Sequence, residues 1–226
     1  MIHSGMAPSV YGLMSLLMIC CQLCAICMMA TKYLQNYIYF FTAQAWFVAI
    51  LAIILAIHNA SIGFAIVAAL YIIIRGISLP YVFTRILKKS VTQIERDVPI
   101  QTATGLIASM LLIVFGTAVS IALAAEMHID TLLKVIALDS MLGIFLIGFL
   151  MLLTRNTALS KVIALLMIEN ALIIAGEMLL GDANILLALI TVFDVLMAVI
   201  SFKVLSGYLI EQIDDTDNRK LTRLVG

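Results

Sequence analysis

Apolar runs of about 20 residues, each closed by a short polar break, recur from one end of the chain to the other. Wound as a helix at about 1.5 Å per residue, a run of that length matches the roughly 30 Å hydrocarbon core of a bilayer. Strands of an outer-membrane barrel are about half as long and alternate apolar with polar residues; these runs do not alternate. The composition agrees. The chain is 64% hydrophobic and 12% charged, with a mean hydropathy of +1.19, against about 45–50% apolar and about 25% charged for soluble domains. A water-soluble fold of 226 residues has too little interior to hide that much apolar surface, so the sequence specifies an all-α integral membrane protein.

The polar breaks place seven spans at about 8–30, 37–57, 61–83, 100–124, 132–153, 159–180 and 184–208. The connections are short, apart from a charged segment Thr84–Val98 and a polar tail from Glu211 to Gly226. No linker divides the chain. It reads as one membrane domain over 1–226, with four helices in 1–131, three in 132–210 and the tail in 211–226. The first run begins near Val10 with no basic residue before it and is too long for a cleavable signal, so it is expected to remain as the first span.

Loop charges set the orientation. Lys32 follows the first span; Arg85, Lys88, Lys89 and Arg96 follow the third; Arg155 and Lys161 follow the fifth; and Lys203, Arg219, Lys220 and Arg223 end or follow the seventh. Lys134 alone lies on the opposite side, and Arg75 lies within a span. Basic loops stay in the cytoplasm, so the amino end is expected outside and the carboxyl end cytoplasmic. The outer loops carry Glu126, Asp130 and Asp182. Segment Thr84–Val98, basic first and mixed later, reads as an amphipathic helix on the inner leaflet or as a docking surface for a cytoplasmic partner.

Enzyme signatures are missing: there is no phosphate-binding glycine loop, no HExxH and no nucleophile elbow. His3, His58 and His128 fall at outer ends or loops without ligand spacing and read as solvated. Cys20, Cys21, Cys24 and Cys27 all lie inside the first span. Metal ligands gather in loops with flanking Gly or Pro, so these cysteines read as small, polarizable packing residues, and no cofactor is expected in this chain. Net charge is zero, so nothing points to nucleic acid or another acidic partner. The expected surroundings are the lipid bilayer and other membrane chains.

Four charges fall where a bilayer excludes them: Arg75, Asp139, Glu169 and Asp194. On insertion scales each costs about 2.5–3.5 kcal/mol at mid-bilayer, whereas Leu, Ile, Phe or Val returns about 0.3–0.6 kcal/mol. Such residues mark proton or ion pathways. Asp194 lies about ten residues from either end of its span, on one helical face with Thr191, Ala198 and Ser201. Small and hydroxyl neighbours turn that face toward other helices rather than lipid. Glu169 lies half way along the sixth span beside Asn170, with Lys161 roughly 12 Å nearer the cytoplasm. Carboxyls so placed can take up and release a proton; the plainer alternative is that they pin helix packing through hydrogen bonds. Asp139, a third of the way in from the outer surface, fits either role. Arg75 precedes Gly76 and Pro80 in YIIIRGISLPYVF. Pro80 frees a backbone carbonyl and is expected to kink the span, while Arg75 is expected to snorkel or to pair with a membrane carboxylate. Glu177, near the outer surface, is expected to be solvated.

The stretch LLTRNTALSKVIALLMIENALIIAGEML, followed by LLALITVFDVLMAVISFKVL, resembles the K subunit of respiratory complex I and the C subunit of Mrp-type cation/proton antiporters. The likeness covers about residues 136–210: three helices, an Arg-Asn pair at the inner turn, and an acid in each of the second and third helices. With four further helices in front and Arg75 five residues before Pro80, nearly the whole chain resembles hydrogenase-4 component E (HyfE). The resemblance implies a membrane-arm subunit of a group 4 nickel–iron hydrogenase or formate hydrogenlyase complex, without an active site of its own and beside antiporter-like subunits. Glu169, Asp194, Lys161, Asp139 and Arg75 would then belong to a charged chain moving protons (or sodium). Two departures stand out. The K-type acid lies four residues before the Asn, where this chain has Leu166, while Glu169 directly precedes Asn170; and the third-helix acid is Asp rather than Glu. An antiporter subunit using the same acids is the competing expectation. A self-contained transporter fits less well, because neither inverted repeats nor paired helix breaks are evident.

Overall fold

A computed structural model describes residues 8–60, 62–89, 94–95, 102–129 and 131–179. The expected span 184–208, with Asp194, and the tail 211–226 lie outside them. The described residues are helical throughout their apolar runs: α1 (Pro8–Met29), α2 (Leu34–Asn59), α3 (Ile62–Tyr71), a π-helical stretch Ile72–Ser78, α4 (Leu79–Lys89), α5 (Thr102–Glu126), α6 (Leu132–Thr154) and α7 (Ala158–Leu179). With α3 to α4 counted as one continuous helix, six helices among the described residues are long and apolar enough to cross a membrane. The chain is an all-α, multi-pass membrane protein.

Short connections make neighbours in sequence neighbours in space. α6 packs along α5, α7 and α1, while α2 packs along α1, α3 and α7. The helix at the centre is α7, with 83% of its apolar stretch buried against 17% for α5. α5 touches the bundle through a stripe of small residues, Gly105, Ser109, Gly116, Ser120 and Ala124, and exposes Ile107, Leu111, Val114, Phe115 and Ile121 on its other side. Small residues allow close approach where lipid offers no hydrophobic drive between helices. α6 and α7 also approach closely. A Cβ at Gly148 would lie 2.7 Å from Ile168 Cγ1 and 3.2 Å from the Ala164 carbonyl oxygen, so only glycine fits there without a shift.

The third span departs from a plain helix where the sequence signals trouble. Pro80 lacks an N–H and its ring crowds the carbonyl one turn back. Instead of a break, the chain widens upstream into the π-helical stretch, whose end is closed by Leu79 N–H donating to the Ile74 carbonyl. Ser78 Oγ donates to the Ile73 carbonyl at 2.7 Å. Arg75 and Gly76, within that stretch, are both buried.

Of the Thr84–Val98 segment, residues 84–89 and 94–95 are described. Its first part is the end of α4, whose apolar face (Phe83, Ile86 and Leu87) is buried in the protein, with Phe83 against Phe41 of α2 at 6.1 Å between ring centroids. Further on, Ile94 pairs with Tyr33 as an antiparallel bridge, and Glu95 N–H donates to the Lys32 carbonyl at 2.9 Å. Ile86 and Leu87 are thus covered by the protein, while the Ile94 side chain is exposed.

Candidate functional site

At mid-membrane the widened turn and α7 face each other. On α7, Leu166, Glu169 and Asn170 are three and four residues apart and so share a face. On the third span, Tyr71 and Arg75 stand four apart and meet that face. Arg75 Nη2 donates to Glu169 Oε2. Its Nη1 donates to Asn170 Oδ1 at 2.6 Å and to the Leu166 carbonyl at 2.9 Å. The guanidinium carbon lies 5.2 Å from the centre of the Tyr71 ring, and the Tyr71 hydroxyl donates to Asn170 Oδ1. The side chains of the charged pair are 1% and 5% exposed, so the pair is out of bulk solvent.

The network continues into two more helices. Asn170 Nδ2 donates to Gln44 Oε1 at 2.8 Å, and Gln44 Nε2 donates to the Cys21 carbonyl at 3.1 Å. One connected set of polar groups therefore joins α1, α2, the third span and α7 at the depth where hydrocarbon penalises each of them most. A buried ion pair holds only where further hydrogen bonds satisfy its remaining donors and acceptors; Asn170 Oδ1 and the Leu166 carbonyl do so for Arg75, and Tyr71 and Gln44 fix Asn170 in turn. Arginine has no proton to give in proteins, so any proton exchange within the pair falls to Glu169.

The other expected site residues lie elsewhere. Asp139 is half-buried on α6, with Oδ1 2.7 Å from Thr117 Oγ1 on α5. Lys161 is exposed in the first turn of α7, away from the mid-membrane network. Asp194 lies outside the described residues. Glu177, expected to be solvated, is instead 2% exposed: α7 sits so deep in the bundle that even its last turn is covered.

A second polar centre, which sequence reasoning missed, ties the α1–α2 turn to the start of α7. Glu95 Oε1 accepts from the backbone N–H groups of Asn156 and Thr157 at 3.0 and 3.2 Å. Its Oε2 accepts from Ser160 Oγ at 3.1 Å and lies 2.9 Å from the Tyr37 hydroxyl. Arg155 Nε stands 3.9 Å from the same oxygen, while Arg155 Nη2 donates to the Met29 carbonyl at 2.9 Å. An anion thus sits at the start of α7 and a cation at the end of α1, each where the helix dipole favours it. The one signal for this was an acid in a basic loop, which looks the same whether solvated or folded back.

No protein-family model, curated protein or solved structure matches the chain.

Proposed function

We propose that this chain is a non-catalytic membrane-arm subunit of a group 4 nickel–iron hydrogenase or formate hydrogenlyase-type complex in the plasma or inner membrane. Its buried acids take part in proton (or sodium) translocation coupled to redox chemistry elsewhere in the assembly. The observation that carries the reading is the Arg75–Glu169 pair at mid-membrane, held by Asn170 and backed by Gln44. A titratable group is retained there against a cost of about 2.5–3.5 kcal/mol. The resemblance to hydrogenase-4 component E supplies the type of complex, and antiporter-like membrane subunits are the proposed neighbours.

The same C-terminal resemblance supports a second reading, a subunit of an Mrp-type cation/proton antiporter or another complex I relative without hydrogenase activity. Purification from native membranes in mild detergent separates the two. Recovery of a large assembly containing nickel and iron–sulfur clusters is the outcome expected for the first reading. A metal-free assembly of membrane subunits favours the second, and a single chain that transports ions by itself in liposomes contradicts both.

A further inference from the structure

The third span turns one face away from the bundle, and the residues on that face change in a fixed order. Ile73 and Ile77 are each 57% exposed and Tyr81 is 66% exposed; Arg85 and Lys88 are exposed beyond them. From Ile77 onward the spacings are four, four and three, so these side chains share one side of the helix. Leu79, Phe83, Ile86 and Leu87, on the other side, are buried. Apolar, aromatic and basic residues therefore follow one another along a single exposed stripe.

Depth gives this order a meaning. Counted from Arg75 at mid-membrane, Tyr81 lies about 9 Å along the helix, Arg85 about 15 Å and Lys88 about 20 Å, at about 1.5 Å per residue. Half the hydrocarbon core is about 15 Å. The isoleucines thus stay among acyl chains, while the two cations reach the boundary and the headgroup level beyond it.

Charge at this end of the bundle is one-sided. Lys32, Arg85, Lys88 and Lys161 are exposed there. Among the described residues the one acid at this end is Glu95, which is buried and taken up by the Asn156 and Thr157 N–H groups and the Ser160 hydroxyl. No ion pair among the described residues engages Arg85 or Lys88. Anionic headgroups attract such cations at a membrane surface. A phospholipid also presents acyl chain, polar linkage and phosphate in the same sequence as the stripe. We propose that this face of the third span binds an anionic phospholipid, with an acyl chain along Ile73 and Ile77 and the phosphate between Arg85 and Lys88. Lipid binding here does not depend on the ion-relay role of Glu169.

The one tryptophan of the chain is placed to report on this face. Trp46, on α2, is 41% exposed, and a Cβ at Gly76, the residue before Ile77, would lie 3.4 Å from its Cε2. Bromine on an acyl chain quenches tryptophan fluorescence at short range. The full chain is placed in phosphatidylcholine bilayers containing an equal fraction of brominated phosphatidylglycerol or brominated phosphatidylcholine. The phosphatidylglycerol should quench Trp46 more strongly, with a preference of roughly fivefold for each cation engaged. Arg85→Gln with Lys88→Gln should abolish that preference, and Lys134→Gln, at the opposite end of the bundle, should keep it. Equal quenching by the two lipids in wild type overturns the proposal and leaves the face to ordinary solvating lipid or to an acidic partner chain. A preference that survives the double variant, or that is lost equally in Lys134→Gln, overturns it too. Should the double variant fail to fold, Lys88→Gln alone must weaken the preference, and an unchanged preference contradicts the site.

Discussion

Arg75 and Glu169, 94 residues apart in the chain, meet as a buried ion pair in the middle of the membrane. Removing either partner leaves the other ion in a low-dielectric site. Arg75→Leu should therefore destabilise the purified chain by about 3–5 kcal/mol, read as a lower unfolding midpoint in lipid or detergent. The double variant Arg75→Leu, Glu169→Leu should lose less than the two single losses combined. Simple additivity would show that the two side chains do not interact energetically. Arg75→Lys should fall between wild type and Arg75→Leu, since one ammonium cannot reproduce the fork that engages Glu169, Asn170 and the Leu166 carbonyl together.

Asn170 is the hub of the network, accepting from Arg75 and Tyr71 and donating to Gln44. Tyr71→Phe deletes one hydrogen bond without changing shape and should cost about 1 kcal/mol. Asn170→Leu strands several groups at once and should cost more than Tyr71→Phe and Gln44→Leu each do alone. Equal losses in the three variants would contradict the hub role.

The sequence made the spans and the misfit residues legible, because a bilayer fixes helix length and penalises each charge by kind. Arg75 and Glu169 stood out for that reason, and Pro80 announced a distorted helix, though not that the distortion would be a π-helical widening upstream. Partners were harder to read. Gln44 and Tyr71 are polar or amphipathic residues in apolar runs, and nothing local says which helix they face. Glu95 and Arg155 resembled loop charges because a loop that folds back over a helix end uses the same residue types as one in water. Glu177 was misread because its depth depends on how far α7 is enclosed by its neighbours, which is a property of the packed bundle.

Close packing of α6 on α7 rests on Gly148. Gly148→Val would push a side chain into Ile168 and the Ala164 carbonyl and should cost about 1–3 kcal/mol, as overpacking does. Ile168→Ala in the same chain should recover part of that loss. No recovery would indicate that the backbone contact, rather than the Ile168 side chain, sets the limit.

At the inner end, Glu95→Ala removes the acceptor for Asn156, Thr157 and Ser160 and leaves Arg155 buried beside it. A loss of about 3 kcal/mol is expected, at the lower end of the range for breaking a buried pair. Lys88→Ala, at an exposed position on α4, should stay within about 0.5 kcal/mol of wild type. Limited proteolysis from the cytoplasmic side should cut Glu95→Ala faster than wild type; equal rates would show that Glu95 does not hold the loop down.

Ion translocation by the assembled complex in inverted membrane vesicles, compared between wild type and Glu169→Gln, bears most directly on the role of the buried acid. The amide keeps the size and much of the hydrogen bonding of Glu169 but cannot exchange a proton. Redox turnover and subunit recovery should be retained, with the proton (or sodium) gradient reduced at least several-fold. A gradient equal to that of wild type, from vesicles holding the same amount of complex, would contradict the role assigned to Glu169 and leave the Arg75 pair as a packing feature only.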